Sequence, residues 1–317
     1  MLNILQRGFL NGVNITWTLG KVIFPITLLV TILQHTPILP WVTKWLTPIM
    51  GILGLPGEAA VPLVLGNALN LYAAIGAIVT FDFTVKEVFI MAMMLSFSHN
   101  LFIESAVAAR VGVSWWLISG VRIGLALISG LLINWLWRGG SQMAQYGFIQ
   151  SPEEVVTGWS QIVIQGFYKA FMAVIQLAII VIILMMVMQY LRELGFLDKI
   201  SKLLTPMTRI LGMEKNASMT LVAGLTVGLA FGAGLMIQAM REDGVSKKDM
   251  ILALIFLVSC HAVIEDTVIF IPLGIPVLPL LFIRLITAFV LTMIISVIWR
   301  QFEKRKDIRR GHSYDSL

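Results

Sequence analysis

Charge is nearly absent from eight stretches of this chain, and each stretch runs close to 20 residues. They lie near 13–34, 60–80, 87–109, 113–137, 163–189, 216–240, 249–270 and 277–299. A run of that length spans a hydrocarbon core roughly 30 Å thick, which reads as a multi-pass, all-α integral membrane protein. Only 13% of the residues are charged, against about 25% in soluble domains, and the mean hydropathy is +0.90. The first run continues apolar past any secretory h-region, with no small-residue cleavage site behind it, so it reads as a span and not a signal. Trp41, Trp45, Trp115, Trp116, Trp137 and Trp299 fall near segment ends, where amphipathic rings settle at the membrane interface.

Composition also narrows the function. The net charge of +6 comes from basic residues in short loops and the tail, the pattern of membrane topology and not of nucleic-acid binding. Cys260 is the single cysteine, so no intrachain disulfide can form. No nucleophile–base constellation is evident, and the chain reads as no enzyme, with no tightly bound cofactor expected.

Residues 5–78 match 163–236 at a constant offset of 158. Gly8-Phe9 falls on Gly166-Phe167, Leu46-Thr47-Pro48 on Leu204-Thr205-Pro206, and Ile52-Leu53-Gly54 on Ile210-Leu211-Gly212. Gly66 and Gly76 fall on Gly224 and Gly234. Farther on the offset drifts to 161, pairing Ser98, Ile103 and Glu104 with Ser259, Ile264 and Glu265. It then reaches 162, pairing Arg122 with Arg284 and Trp137-Arg138 with Trp299-Arg300. The organisation is a first repeat over 1–138, a linker over 139–162, a second repeat over 163–300 and a basic tail over 301–317. Ser151-Pro152-Glu153-Glu154 in the linker reads as a capped helix start.

Loop charges choose between two topologies. If all eight runs cross, the halves are parallel, and Lys44, Arg110, Arg192, Lys199, Lys202, Arg209 and Lys215 lie outside. If 60–80 and 216–240 are re-entrant hairpins, each half has three crossings and the halves are inverted. Only Lys44, Lys86 and Arg138 then lie outside, with Lys21, Arg122, Lys169 and Arg284 within segments. The positive-inside rule favours the inverted arrangement, with both termini cytoplasmic. The glycines of Gly224–Gly234 would permit a sharp break in the backbone, although glycine equally lets straight helices pack closely. Lys21 and Lys169 are expected to snorkel to an interface.

Two polar clusters occupy matching places in the repeats. The first is Ser96, Ser98, His99, Asn100 and Glu104, and the second Ser259, Cys260, His261, Glu265 and Asp266. Ionisable groups at membrane depth are costly and usually face a cavity or a partner. On a helix, Asn100 and Glu104 share one face, as do His261 and Glu265. His99, five before Glu104, joins the same site only if the helix breaks. Brought together, the clusters offer two imidazoles, three carboxylates, a thiol and an amide, a set suited to Fe²⁺, Mn²⁺ or Zn²⁺. The competing reading is structural: Arg122 and Arg284 could neutralise Glu104 or Glu265 as packed ion pairs. Glu58 reads as a substrate contact or a helix-start acid, and Asn67, Asn70 and Gln238 as substrate amides or helix glue.

The stretch Gly54-Leu55-Pro56-Gly57-Glu58-Ala59-Ala60-Val61-Pro62-Leu63-Val64-Leu65-Gly66 resembles the opening of the Gate, or nucleoside recognition, domain. In Feo-type ferrous iron transporters this region reads G-L-S-G-x-x-x-x-P-L-L-L-G, followed by Cys-Asn. Here Leu69 stands at the cysteine and Asn70 is kept, while Ser259-Cys260 resembles a later Ser-Cys element. No G-x-x-x-x-G-K-[ST] P-loop occurs, so the G-protein domain of those transporters is missing from this sequence. The same domain name covers concentrative nucleoside transporters, known for inverted repeats with re-entrant hairpins, and spore maturation membrane proteins.

The resemblance implies a multi-pass transporter of the cell (inner) membrane, with a midplane site between the repeats. His99, Glu104, Cys260, His261, Glu265 and Asp266 are the expected metal ligands, and Glu58, Asn67, Asn70, Asn100 and Gln238 the expected substrate contacts. A divalent transition metal such as Fe²⁺ is the leading solute. A nucleoside or other small polar solute driven by Na⁺ or H⁺ is the second reading, and a non-transporting scaffold or subunit the third. The partners are the bilayer and the small solute, with self-association left open.

Overall fold

A computed structural model describes residues 2–146, 158–195, 206–229, 238 and 244–314. The Ser151–Glu154 cap, Lys199 and Lys202, and the Gly232–Gly234 part of the second hairpin lie outside them. The described chain is helical, without strands. Five helices are long and apolar enough to cross a membrane, or six if one bent pair counts as a span.

The first helix, α1 (Leu2–Gln34), and its counterpart α8 (Trp159–Glu193) are the longest of the early elements. At a rise of 1.5 Å per residue each reaches roughly 50 Å, well beyond one bilayer core. They pack along their length with residue numbers running in opposite directions. A Cβ on Gly8 would lie 2.7 Å from the Met186 Cα, and one on Gly12 2.7 Å from the Ile182 Cα. At the other end a Cβ on Gly166 would lie 2.9 Å from Leu28. The Gly8–Met186 and Gly166–Leu28 contacts are one contact seen from each repeat, since both pairs differ by the repeat offset of 158. Small residues let helices approach this closely where no hydrophobic force drives them together. Arg7 and Glu193 close the end at 2.6 Å.

A helix absent from the apolar runs follows. α2 (Ile38–Ile52) buries Thr43 and Met50 and exposes Ile38, Trp41, Trp45, Ile49 and Ile52. That one-sided face, with two tryptophans, fits the membrane interface. It meets the Gly57–Ala68 stretch at 93°.

Run 60–80 is two short helices, α3 (Ala60–Ala68) and α4 (Leu71–Ile78), separated at Leu69-Asn70. Neither, at roughly 12–14 Å, can cross a bilayer core. They fold back on each other: a Cβ on Gly66 would meet the Ala74 Cβ at 2.9 Å and Leu95 at 2.3 Å. Thr27 of α1 donates to the Gly76 carbonyl at 3.1 Å. In the second half, α9 (Ser218–Val227) ends at Gly228, whose φ of +87° only glycine adopts without strain.

The centre belongs to α5 (Val85–Ser98) and α10 (Lys247–Ser259). From Val88 through Ser98 every side chain of α5 is buried, and in α10 Asp249, Met250 and every residue from Leu252 through Ser259 are buried. Helices apolar on all sides belong in the interior. Both start on matched caps. The Thr84 hydroxyl accepts from the Glu87 amide in a full capping box, and the Ser246 hydroxyl accepts from the Asp249 amide at 3.1 Å. Both stop short, so the helix is interrupted within each of runs 87–109 and 249–270, although Val85–Arg110 as a whole keeps the length of a span. α6 (Leu101–Arg110) follows the first break and the single turn α11 (Glu265–Val268) follows the second. α7 (Trp115–Leu136) and α12 (Val277–Tyr314) then run alongside and carry the two buried arginines. The linker start packs against α5, with Val85 and Lys86 donating to the carbonyls of Gln142 and Gly140 at 2.9 Å each.

Candidate functional site

The two breaks are built alike. α5 ends at Ser98, and Asn100 takes a left-handed conformation, φ +52°, before α6 starts. α10 ends at Ser259, and Ala262 does the same at φ +40°. The Asn100 amide donates to the Gly66 carbonyl at 2.8 Å, and the Ala262 amide to the Gly224 carbonyl at 3.1 Å. Each break is thus pinned to the helix before it by a glycine that the next helix crowds: Leu95 at Gly66, Leu257 at Gly224.

These contacts correct the repeat register. Thr84 and Ser246, Leu95 and Leu257, His99 and His261, Asn100 and Ala262, and Arg122 and Arg284 are all equivalent at 162. The helix ends, Ser98 and Ser259, keep the spacing of 161, and past them Glu104 is matched in place by Asp266 and not by Glu265.

Arg122 and Arg284 are fully buried. Arg122 donates to the carbonyls of Phe97 at 2.8 Å and His99 at 2.5 Å, and lies 2.7 Å from Glu104 Oε2. Arg284 donates to the His261 carbonyl at 2.8 Å and to Asp266 at 3.0 Å. Each guanidinium thus occupies carbonyls freed by a broken helix and pairs with an acid, two needs that hydrocarbon leaves unmet. The ion pairs expected from sequence exist, but Arg284 takes Asp266 and not Glu265. Glu265 instead accepts a 2.5 Å hydrogen bond from the Tyr72 hydroxyl of α4.

Both histidines are held in one tautomer. His99 Nδ1 lies 2.7 Å from the Leu95 carbonyl and His261 Nδ1 2.9 Å from the Leu257 carbonyl. A carbonyl only accepts, so each Nδ1 carries a hydrogen; each Nε2 then presents a lone pair when the ring is neutral and a second N–H when it is charged. Both Nε2 atoms face Glu104 Oε1, at 3.7 Å from His99 and 3.3 Å from His261. His261 Nε2 also lies 3.6 Å from Asp266 Oδ2. The rings are 5.2 Å apart. One ligand atom each from His99, His261 and Asp266 lie within 4.8 Å of one another, all buried.

A cavity of about 90 Å³ sits among these groups, lined by Asn70, Tyr72, His99, Asn100, Glu104, Gly228, His261, Glu265 and Asp266 among others. Sequence reasoning brought most of that set forward, and both broken helices were needed to assemble it. His261 and Glu265 share the cavity across a break and not along a helix face. Asn70 lines the cavity while capping α4, its side chain accepting from the Ala73 amide at 2.9 Å. Cys260 is buried next to His261 but is outside the lining and outside the three-ligand group. Asn67 turns back to the Leu63 carbonyl of its own helix at 2.7 Å. Glu58 sits in the 3₁₀ turn before α3, and Gln238 is exposed, so neither reaches the cavity. Tyr72 escaped the sequence reading. Its signal was that of a lone aromatic two residues after Asn70 in an otherwise aliphatic hairpin.

The model of the family described as "Gate: Nucleoside recognition" matches residues 16–115 and 174–289, one block in each repeat. The "Uncharacterized membrane protein YvoD" of Bacillus subtilis (strain 168) is 57% identical over 303 residues, covering 96% of this chain and 97% of its own. No solved structure matches the chain. With both halves matched and a full-length relative above half identity, this all-helical membrane protein belongs to the Gate, or nucleoside recognition, family.

Proposed function

We propose that the protein is a transporter that carries a divalent transition metal, Fe²⁺ foremost, through the cavity between the two broken helices. One observation carries the reading. Two imidazole Nε2 atoms, oriented by their Nδ1 bonds, converge on carboxylate oxygens at 3.3–3.7 Å. Neutral rings set acceptor against acceptor in a buried site, and a cation between them, a proton or a metal ion, reverses the sign. Two neutral histidines with backbone-anchored Nδ1 plus a carboxylate form a common set for such metals. At metal–ligand distances of about 2.0–2.2 Å, neighbouring ligand atoms of a tetrahedral site sit ~3.3–3.6 Å apart, so the group, now within 4.8 Å, closes by about 1 Å on binding. The arginines on Glu104 and Asp266 weaken binding, and a transport site must release what it binds.

The architecture we propose is a pair of inverted repeats, each with one hairpin that enters and leaves on one side. The opposed run of α1 and α8 supports this, because equivalent helices packed in opposite directions belong to oppositely oriented repeats. The short, folded-back α3 and α4 support the hairpin. Alternating access would then move one bundle against the other around the cavity. A cavity of about 90 Å³ is far below the roughly 300–1,000 Å³ of small-molecule pockets, which favours an ion over a nucleoside in this conformation. The scaffold reading draws on the two arginine–acid pairs, which would serve a static subunit equally well.

Thermal unfolding of the purified protein with Fe²⁺, Mn²⁺ or Zn²⁺ separates the two. A transporter gains about 2.7 kcal/mol at a hundredfold excess over Kd, and His261→Ala and His99→Ala abolish the gain. No metal-induced shift in the unmodified protein would leave the scaffold reading standing. Uptake of the same ions into proteoliposomes, lost in His261→Ala, completes the test.

A further inference from the structure

Among the described residues, the Lys21 ammonium meets an aromatic ring and no carboxylate. The apolar window of α1 runs from Asn3 to Gln34, and its centre falls between residues 18 and 19. At 1.5 Å per residue, Lys21 is about 4 Å from that centre. Taking the apolar stretch 13–34 instead moves the centre to the other side of Lys21 at a similar distance. A lysine stem reaches roughly 6 Å, while the core extends about 15 Å either side of its midplane. With α1 centred in the core, Lys21 lies too deep for its stem to reach water, and the snorkelling expected from sequence would need α1 to be shifted along its axis. Its side chain is exposed on the outer face of α1, and its ammonium lies 5.2 Å from the Trp17 ring. Among the described residues no carboxylate pairs with it.

The surroundings are equally unsuited to lipid. Asn11, Asn14, Thr18, Lys21 and Pro25 are all exposed and follow one another at spacings of three and four. That spacing makes a single seam along a helix, the pattern by which one helix packs against another. Trp17, 68% exposed, lies beside the seam at the same depth, although tryptophan prefers the interface. A groove of about 580 Å³ runs next to it, lined by Trp17, Gly20, Lys21 and Pro25 of α1 and by Phe171 and Val174 of α8 among others. The hydroxyl of Thr16, which also lines the groove, is buried with no hydrogen-bond partner.

We propose that the α1 face from Asn11 to Pro25 docks a transmembrane helix of a different membrane protein, one that carries an aspartate or glutamate at the depth of Lys21. The seam calls for a helix, and the amides and Thr18 supply hydrogen bonds across it. The ammonium calls for a carboxylate, the partner that ionisable groups at membrane depth usually find. A second copy of this chain does not meet the requirement. Two copies related by an axis along the membrane normal would bring Lys21 against Lys21. The membrane part of α8 carries no acid, since Glu193 at its end is taken by Arg7. The inference is independent of the metal reading.

The test places a photoreactive phenylalanine analogue at position 17 in the full chain, expressed in its host membrane. The expected adduct is with another protein, mapped to a transmembrane segment bearing Asp or Glu. Its yield falls at least about tenfold in Lys21→Leu, as for the loss of one desolvated charge pair. Lys21→Glu combined with a lysine at the mapped carboxylate restores it. The purified Lys21→Leu protein unfolds no earlier than the unmodified one, since the lysine serves nothing internal. Adducts to a second copy of this chain, adducts to lipid alone, a yield indifferent to Lys21→Leu, or an earlier unfolding of the purified variant would each overturn the proposal. Metal-induced stabilisation is unchanged in Lys21→Leu if both readings hold, so failure of one does not mimic failure of the other.

Discussion

Arg122 and Arg284 decide the energetics at the scale of single residues. Each is fully buried, and each ties an acid to a histidine carbonyl. Removing one partner of such a pair leaves a charge buried without compensation, which costs about 3–5 kcal/mol. Arg122→Met should therefore lower the unfolding midpoint of the purified protein severely. Adding Glu104→Gln to it should recover part of the loss, because the stranded charge goes as well. A double variant no more stable than Arg122→Met would mean that the carbonyl bonds, and not the ion pair, carry the stabilisation. Glu265 lies apart from this scheme, bonded to Tyr72. Tyr72→Phe should thus cost far less than Arg122→Met, about 1–3 kcal/mol for a buried acceptor left unsatisfied.

At the scale of elements, the two glycines beneath the breaks hold the site in shape. Gly66 passes its carbonyl to Asn100 while Leu95 and Ala74 close in on its α-carbon, and Gly224 does the same for Ala262 beside Leu257. Gly66→Val should force α3 away from both α4 and α5. Overpacking of this kind costs about 1–3 kcal/mol, and the displaced Asn100 should carry the metal-induced stabilisation away with it. Unfolding measured with and without metal would show a larger loss in the metal-bound protein. Equal losses in both would mean that the break is not coupled to the cavity. The glycine was visible in the sequence as a repeat match, but its reason was not. Only the fold shows that a neighbouring helix lies within a methyl group of it.

At the scale of the whole molecule, topology is the open quantity, and loop charges and helix packing support the same answer. In the inverted arrangement Lys44 faces outside, whereas Arg7 and the tail after Arg300 face the cytoplasm. The chain has one cysteine, so Cys260→Ser gives a clean background. Single cysteines at 44 and at 86 should then react with a membrane-impermeant maleimide in intact cells, and one at 7 should not. A parallel arrangement predicts protection at 86 but labelling at 110, and that outcome would sink the inverted one.

Lipid as solvent is what made so much legible from the sequence. Nearly charge-free runs, a repeat at 158, and histidines and acids at matching places in it are properties of residue order. The number of true spans did not follow. Run 60–80 is uncharged and run 249–270 keeps an apolar stretch from Met250 to Cys260, and hydropathy cannot distinguish a helix that crosses from one that stops, because both must be greasy. The interfacial helix α2 was hidden for the converse reason, since it buries only a narrow face. Register was the subtlest loss. In an aliphatic stretch a slip of one residue costs little identity, so Glu104 aligned as well with Glu265 as with Asp266. Tertiary structure decided it, because an arginine anchored on the histidine carbonyl reaches one carboxylate and not its neighbour.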